Sequence, residues 1–147
     1  MTHNILVRLL VLGLAAAWSG PAAVAAADQA WTRDQVSQGL QAVDRAVSVV
    51  FQPRKTDAPI PAGARITRVY ASRSYDSPAQ IATELCWGSE QGPCVPLQGS
   101  HLNTRAFEGR SAQAPLLLRH RVLRWGNGSP PVFVRGTVTV WYATGQP

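Results

Sequence analysis

The sequence predicts an all-β domain, a small antiparallel β-sandwich or barrel-like fold with one disulfide across a hairpin. Short β-prone runs follow one another between glycine and proline turn signals from Gly63 onward. Apolar and polar side chains alternate through Val132–Tyr142, as in a strand that is buried on one face. Two cysteines, Cys86 and Cys94, stand at the facing ends of two such runs. These three observations together favour an antiparallel fold over a mixed one.

The first 27 residues have the organisation of a secretory signal peptide. Arg8 precedes the apolar run Leu9–Ala17, and small residues end in the Ala-x-Ala pattern at Ala25–Ala27. Cleavage after Ala27 leaves a single β-domain, residues 28–147, whose formal charge falls from +6 to +5 with the loss of Arg8. No later apolar run approaches the ~20 residues of a membrane span. We therefore expect an exported protein, which in a bacterium resides in the periplasm.

The first segment of the mature chain fits two structures. Apolar residues between Trp31 and Phe51 follow helical spacing, and they are Val36, Leu40, Val43, Val47 and Val50. The run Ala46–Phe51 is nevertheless β-branched and strand-like, so the pattern leaves Leu40–Phe51 open between helix and strand. The next stretch, Gln52–Gly63, is predicted to be a loop because its prolines fit neither a helix nor a ladder.

The following elements are predicted as strands, in the order Arg65–Ser72, Gln80–Trp87 and Cys94–Leu97. The polar stretch Gly99–Ala114 is predicted to be irregular, with Phe107 as its large apolar anchor.

Two long strands end the domain. Leu116–Trp125 is one, and Val132–Tyr142 is the other, with the breaker-rich turn Gly126–Pro131 between them. Gly136 lies on the apolar face of the last strand, which indicates a bulge or a close approach of two backbones.

Cys86 and Cys94 are the strongest local signal. Two cysteines with seven residues between them, in an exported chain, indicate a structural disulfide that fixes the register of a hairpin. A redox dithiol would favour the Cys-x-x-Cys spacing. Zinc would need two further ligands, and the mature chain offers only His101 and His120. We predict no metal and no cofactor.

Catalytic patterns are missing from the sequence. There is no Gly-x-Ser-x-Gly elbow and no phosphate-binding glycine loop. Glu84 and Glu90 do not form a persuasive pair of catalytic carboxylates. We expect His101 to be a solvated loop residue and His120 to lie on the core side of its strand with one hydrogen bond. The sequence therefore predicts no catalytic residue and no enzyme.

The remaining candidate is a binding surface. The arginines are dispersed among eight acids, which argues against nucleic acid as a partner. Arg119 and Arg121 project on one face of their strand, two residues apart. Trp87 flanks the disulfide turn, and Trp125 follows the arginine-bearing strand. Because arginine and tryptophan are enriched at binding hot spots, we predict these four residues as partner-binding candidates.

Several short motifs between Ala30 and Tyr142 resemble the FlhE family of periplasmic flagellar proteins. The cysteine pair with its trailing Val-x-Leu-x-Gly is the most specific of them. The motifs are Ala30-Trp31, Gly39 with Asp44–Ser48, Leu85-Cys86, Cys94–Gly99, Thr104 with Phe107, Pro115–Leu118 and Val138–Tyr142. The resemblance also favours strand over helix for Leu40–Phe51.

The resemblance implies a non-enzymatic accessory of flagellum assembly. Its implied role is chaperone-like binding of rod or hook subunits, and the alternative within the family is control of proton leakage through the export apparatus. Outside the family, a small secreted enzyme, an inhibitor or a ligand-binding β-domain remains open.

Overall fold

The computed structural model describes Gly20 and residues 28–144. Apart from Gly20, the predicted signal peptide lies outside the described residues, as does its cleavage site after Ala27, so these boundaries stay predictions. The strands are β1 (Gln29–Val36), β2 (Val47–Phe51), β3 (Ala64–Ser74), β4 (Gln80–Trp87), β5 (Cys94–Pro96), β6 (His101–Thr104), β7 (Leu116–Arg124) and β8 (Arg135–Thr144). Within the described part of the chain, no helix is long and apolar enough to cross a membrane.

The strands form two four-stranded sheets in which neighbouring strands run antiparallel. The first sheet has the order β1-β8-β3-β6, and the second has the order β2-β7-β4-β5. Side chains from both sheets meet in one buried cluster, in which Val138 and Val140 of the first sheet accompany Leu116 and Leu118 of the second. The predicted all-β sandwich is confirmed.

The ambiguous first segment forms strands rather than a helix. β1 and β2 occupy its two ends, and Leu40 between them forms an isolated bridge with Val132. The helical spacing was misleading because its members do not share one buried face. Leu40 is fully buried, whereas Val36, Val43 and Val50 are among the exposed large hydrophobic residues.

Two stretches differ from the predicted elements. The stretch Gly99–Ala114 contains a strand, β6, which pairs with β3 at the margin of the first sheet. An edge strand with half-exposed side chains has no apolar alternation to reveal it. The last strand begins at Arg135 rather than Val132, because the backbones of Val132 and Val134 bond to Leu40 and Ser37 instead.

Gly136 marks a close approach between the two sheets. A Cβ atom at this position would lie 2.7 Å from Leu118 Cδ1 and 3.1 Å from Phe51 Cζ. The ladder passes through Gly136 without a register shift, pairing it with Gln35 on one side and Arg73 on the other. The structure therefore shows no bulge at Gly136, and the atoms that come closest belong to two side chains of the other sheet rather than to a second backbone.

The disulfide joins Cys86 of β4 to Cys94 of β5, which lie directly opposite each other in the ladder. Cys86 is fully buried. As predicted, the bridge connects the two strands of a hairpin and fixes their register.

Candidate partner-binding surface

Arg119 and Arg121 both lie on the outer face of the second sheet. Their neighbours His120 and Val122 point inward and are fully buried, so alternation along β7 turns the two arginines outward. A shallow hollow of about 240 Å³ lies beside them. Its lining comprises Ala82, Thr83, Glu84, Pro96, Arg119 and Arg121.

The two arginines are not equivalent. Glu84 faces Arg119 directly across the β4–β7 ladder, and Arg119 Nη1 donates a hydrogen bond to Glu84 Oε1 at 3.2 Å. Arg121 faces Ala82 instead, is exposed, and forms no ion pair with any residue of 28–144. Of the two predicted arginines, Arg121 is therefore the one whose guanidinium group is available to a partner.

Trp87 and Trp125 do not lie on this face. Trp87 points toward the first sheet, where its indole Nε1 donates to Ser111 O at 3.1 Å and the Arg110 guanidinium lies 4.9 Å from its ring centroid. Trp125 packs against a second buried cluster that contains Leu40. The structure brings Arg119 and Arg121 together and leaves the two tryptophans at other places in the domain.

Glu84, Cys86 and Cys94 place their potential ligand atoms within 4.8 Å of one another. They do not fit a metal ion, because both sulfurs are consumed by the disulfide and cannot act as thiolates. The carboxylate of Glu84 is already engaged by Arg119.

His120 is fully buried, and its Nδ1 lies 2.9 Å from the hydroxyl of Thr83. Its predicted position in the core with one hydrogen bond is confirmed. Burial lowers the pKa of His120 to about 4, and the positive charge of Arg73 adds to the effect. The imidazole is therefore neutral at pH 7 and out of reach of a substrate.

His101 is exposed, as expected, although it begins strand β6 rather than lying in a loop. Its Nδ1 is 3.4 Å from the hydroxyl of Ser100. No carboxylate is recorded as orienting this pair in the described part of the chain, so it lacks the third group of a catalytic triad.

Sequence reasoning missed the edge of the first sheet. β1 is paired on one side by β8, and its inward side chains include Trp31 and Arg33. Within the described residues, the buried Nε1 of Trp31 and the buried Nε of Arg33 have no hydrogen-bond partner. The signal in the chain was an arginine two residues after a tryptophan, on the same face of a strand, and it could be interpreted only once the segment was known to be an edge strand.

Comparisons with known proteins identify the fold. No protein-family model matches the chain, and no curated protein matches it. A solved structure titled "Crystal Structure of FLHE" is similar, with a TM-score of 0.57 and 22% sequence identity over 80% of this chain and 98% of that chain. This similarity shows an FlhE-like fold.

A second solved structure, of the Desmodium yellow mottle tymovirus, aligns with a TM-score of 0.29 and 12% identity over 100% of this chain and 98% of that chain. At that score it carries no argument.

Proposed function

We propose that this chain is an exported accessory protein of the bacterial flagellum that binds rod or hook subunits in the periplasm and catalyses no reaction. The observation that carries the proposal is the FlhE-like fold, whose match extends over nearly the whole of the FlhE chain. The sequence motifs around the cysteine pair support the same family independently of the fold.

Two features suit a periplasmic binding protein. The disulfide between Cys86 and Cys94 is stable in an oxidising compartment and would be reduced in the cytoplasm of most bacteria. The sandwich is built almost entirely from long-range strand pairs, so its outer faces are preorganised for docking.

Arg121 supplies one contact with a partner, on the outer face of the second sheet. Its free guanidinium group can donate charge-assisted hydrogen bonds to a carboxylate or a side-chain amide. Leu123, two residues further along β7, is exposed and adds apolar surface next to it. This combination fits an acidic or amide-rich surface of a subunit that has not yet assembled.

The test compares Arg121→Glu with Arg65→Glu, a matched change at an exposed arginine on the outer face of the other sheet. Arg119 is left intact because its replacement by glutamate would set two carboxylates side by side at Glu84. We expect wild type and Arg65→Glu to capture rod or hook subunits from periplasmic extracts, and Arg121→Glu to capture at least fivefold less.

Equal capture by all three proteins would remove this face from the proposal. If wild type captures no flagellar subunit and a deletion strain remains motile, the chaperone role is wrong. A fall in cytoplasmic pH in the deletion strain would then favour the second role that the family resemblance implies, control of proton leakage.

A further inference from the structure

A β-sandwich has sheet edges at which an added strand can pair, and the edges of this sandwich differ in length. Among the described strands, β1 and β6 border the first sheet, and β2 and β5 border the second. β1 has 8 residues, whereas β2 has 5, β6 has 4 and β5 has 3. Because each added residue contributes backbone hydrogen bonds, β1 offers the longest platform for another strand.

On the side of the sandwich that carries β5 and β6, the protein itself occupies backbone carbonyls of β4 beyond the end of β5. Leu97 N donates to Thr83 O, which continues the pairing of β4 beyond the end of β5. The next carbonyl on that side of β4 belongs to Ile81, and it accepts a hydrogen bond from Arg73 Nη1 at 2.5 Å. The same guanidinium group donates to Gly99 O through Nε and Nη2. An incoming strand would have to displace these bonds.

On the β1 side the backbone of β2 comes within 8 Å of β1, but no hydrogen bond joins the two strands within the described residues. Arg33 points inward from the edge strand, is partly buried, and takes part in neither of the two ion pairs that the described chain forms. Within the described residues its buried Nε lacks a hydrogen-bond partner, and Trp31, two residues before it on the same face, is only 8% exposed. Unsatisfied buried donors are costly, and in native proteins they often mark a site that is completed by something else.

A hollow of about 570 Å³ adjoins the start of β1. It lies between the edge strand and the loop that follows β2. Its lining includes Trp31, Tyr142, Pro53, Arg54 and Ile60. The hollow is large enough for an aliphatic or aromatic side chain that projects from a strand paired with β1.

We propose that the β1 edge binds an extended segment of a partner protein by antiparallel strand addition, with an acidic side chain set opposite Arg33 and an apolar side chain beside Trp31. This inference rests on the proposed function for the identity of the partner, but the surface itself is tested separately.

Charge complementarity selects this occupant. An inward-pointing charge on an edge strand repels a generic apolar strand, because pairing would bury the charge. A carboxylate on the incoming strand removes that penalty by neutralising the guanidinium, whereas a lysine opposite Arg33 adds repulsion. Arg33 thus disfavours pairing with most strands and favours pairing with an acidic one. Specificity arises because competing strands are disfavoured.

The probe is an acetylated and amidated eight-residue peptide of threonines with glutamate at its fourth position and leucine at its sixth. In the antiparallel register these two side chains face Arg33 and Trp31. The matched peptides replace the glutamate by lysine, or keep it and carry N-methyl groups on alternate backbone nitrogens. Binding to the protein purified from the periplasm is measured by anisotropy of a labelled peptide and by amide NMR shifts.

We expect the glutamate peptide to bind at least tenfold tighter than the lysine peptide, with the shifts centred on β1, and the N-methylated peptide not to bind. Arg33→Glu should reverse the preference, and Arg65→Glu, which makes the same change in net charge, should keep it. Reversal on Arg33→Glu also shows that this variant is folded.

Three results would overturn the inference. They are equal binding of the two charged peptides, amide shifts that lie outside β1, and no binding of the glutamate peptide at roughly 1 mM. Concentration-dependent dimerisation that protects the β1 amides would overturn it as well, because the edge would then serve a second copy of the chain. Peptide binding at β1 without capture of a flagellar subunit would leave this inference standing and reject the proposed function. Equal capture of subunits by wild type and Arg33→Glu would reject this inference and leave the proposed function standing.

Discussion

Arg33 and Arg73 both point from the first sheet toward the second, but their guanidinium groups have different surroundings. Arg73 lies on β3, an interior strand, and donates to the carbonyls of Ile81 and Gly99. Arg33 lies on β1, an edge strand, and its buried Nε has no partner in the described chain. On one side of the sandwich Arg73 bonds to a backbone carbonyl of the opposite sheet. On the other side Arg33 lies on the same face with its Nε left available to a partner.

The largest expected effect is a pH dependence of the folding free energy that arises at His120, whose pKa is lowered by burial and by the charge of Arg73. Its folded pKa of about 4 lies below the usual 6.5, so the unfolded state binds a proton first as the pH falls. The stabilisation is present above pH 6.5 and is lost between pH 6.5 and pH 4. At 1.36 kcal/mol per pKa unit, the loss amounts to about 3 kcal/mol.

Urea unfolding from pH 7 to pH 4 measures this loss. His120→Gln should remove this loss of unfolding free energy between pH 6.5 and pH 4. His101→Gln, at an exposed imidazole, should leave the loss in place. Because Arg73 repels the imidazolium, Arg73→Met should raise the pKa of His120, and Arg33→Met should raise it less. Identical slopes for wild type and His120→Gln would contradict the account.

Arg73→Met should destabilise the domain by about 2 kcal/mol at pH 7, since it removes charge-assisted hydrogen bonds to two backbone carbonyls and leaves those acceptors unsatisfied. Thermal or urea unfolding of the purified variant gives the value. Hydrogen exchange at β4 and at the turn around Gly99 should rise as well. An unchanged stability would show that this side of the sandwich is not held by Arg73.

Gly136→Ala should destabilise by about 1–2 kcal/mol, because the added methyl group would lie too close to the side chains of Leu118 and Phe51 in the other sheet. Gly136 lies on β8, between β1 with Arg33 and β3 with Arg73. The variant therefore also tests whether the distance between the two sheets is fixed at this position. Gly136→Ala combined with Leu118→Val should recover part of the loss in urea unfolding. No recovery would assign the effect to the backbone instead.

The smallest effect is expected for Arg33→Met. Within residues 28–144 the Arg33 guanidinium forms no ion pair and its buried Nε lacks an acceptor, so we expect the folding free energy to change by less than about 1 kcal/mol. The measurement is the same urea series as for Arg73→Met. A loss as large as that of Arg73→Met would remove the difference between the two sides of the sandwich.

Much of the fold followed from local pattern. The bounds of β4 and β7 were predicted almost to the residue, because each is a β-prone run that ends at turn signals. β1 and β2 were ambiguous because the helical spacing of five apolar residues was accidental. β6 escaped notice because an edge strand does not need an apolar face.

The candidate site was less accessible to sequence reasoning. Alternation placed Arg119 and Arg121 on one face, but the pairing of Arg119 with Glu84 depends on the register of strands that are 35 residues apart. The contrast between Arg33 and Arg73 depends on which strand becomes an edge. That choice follows from sheet order, and no local pattern encodes it.

Photo-cross-linking in the producing cell tests the central claim, which is that a flagellar subunit binds at the β1 edge. A photoreactive phenylalanine replaces Thr32, which is exposed on β1, or Arg65, which is exposed on an interior strand of the same sheet. The account predicts that irradiation joins the protein to a rod or hook subunit from the Thr32 position and not from the Arg65 position. Cross-links to a subunit from Arg65 alone, or from neither position while wild type still captures subunits, would contradict it.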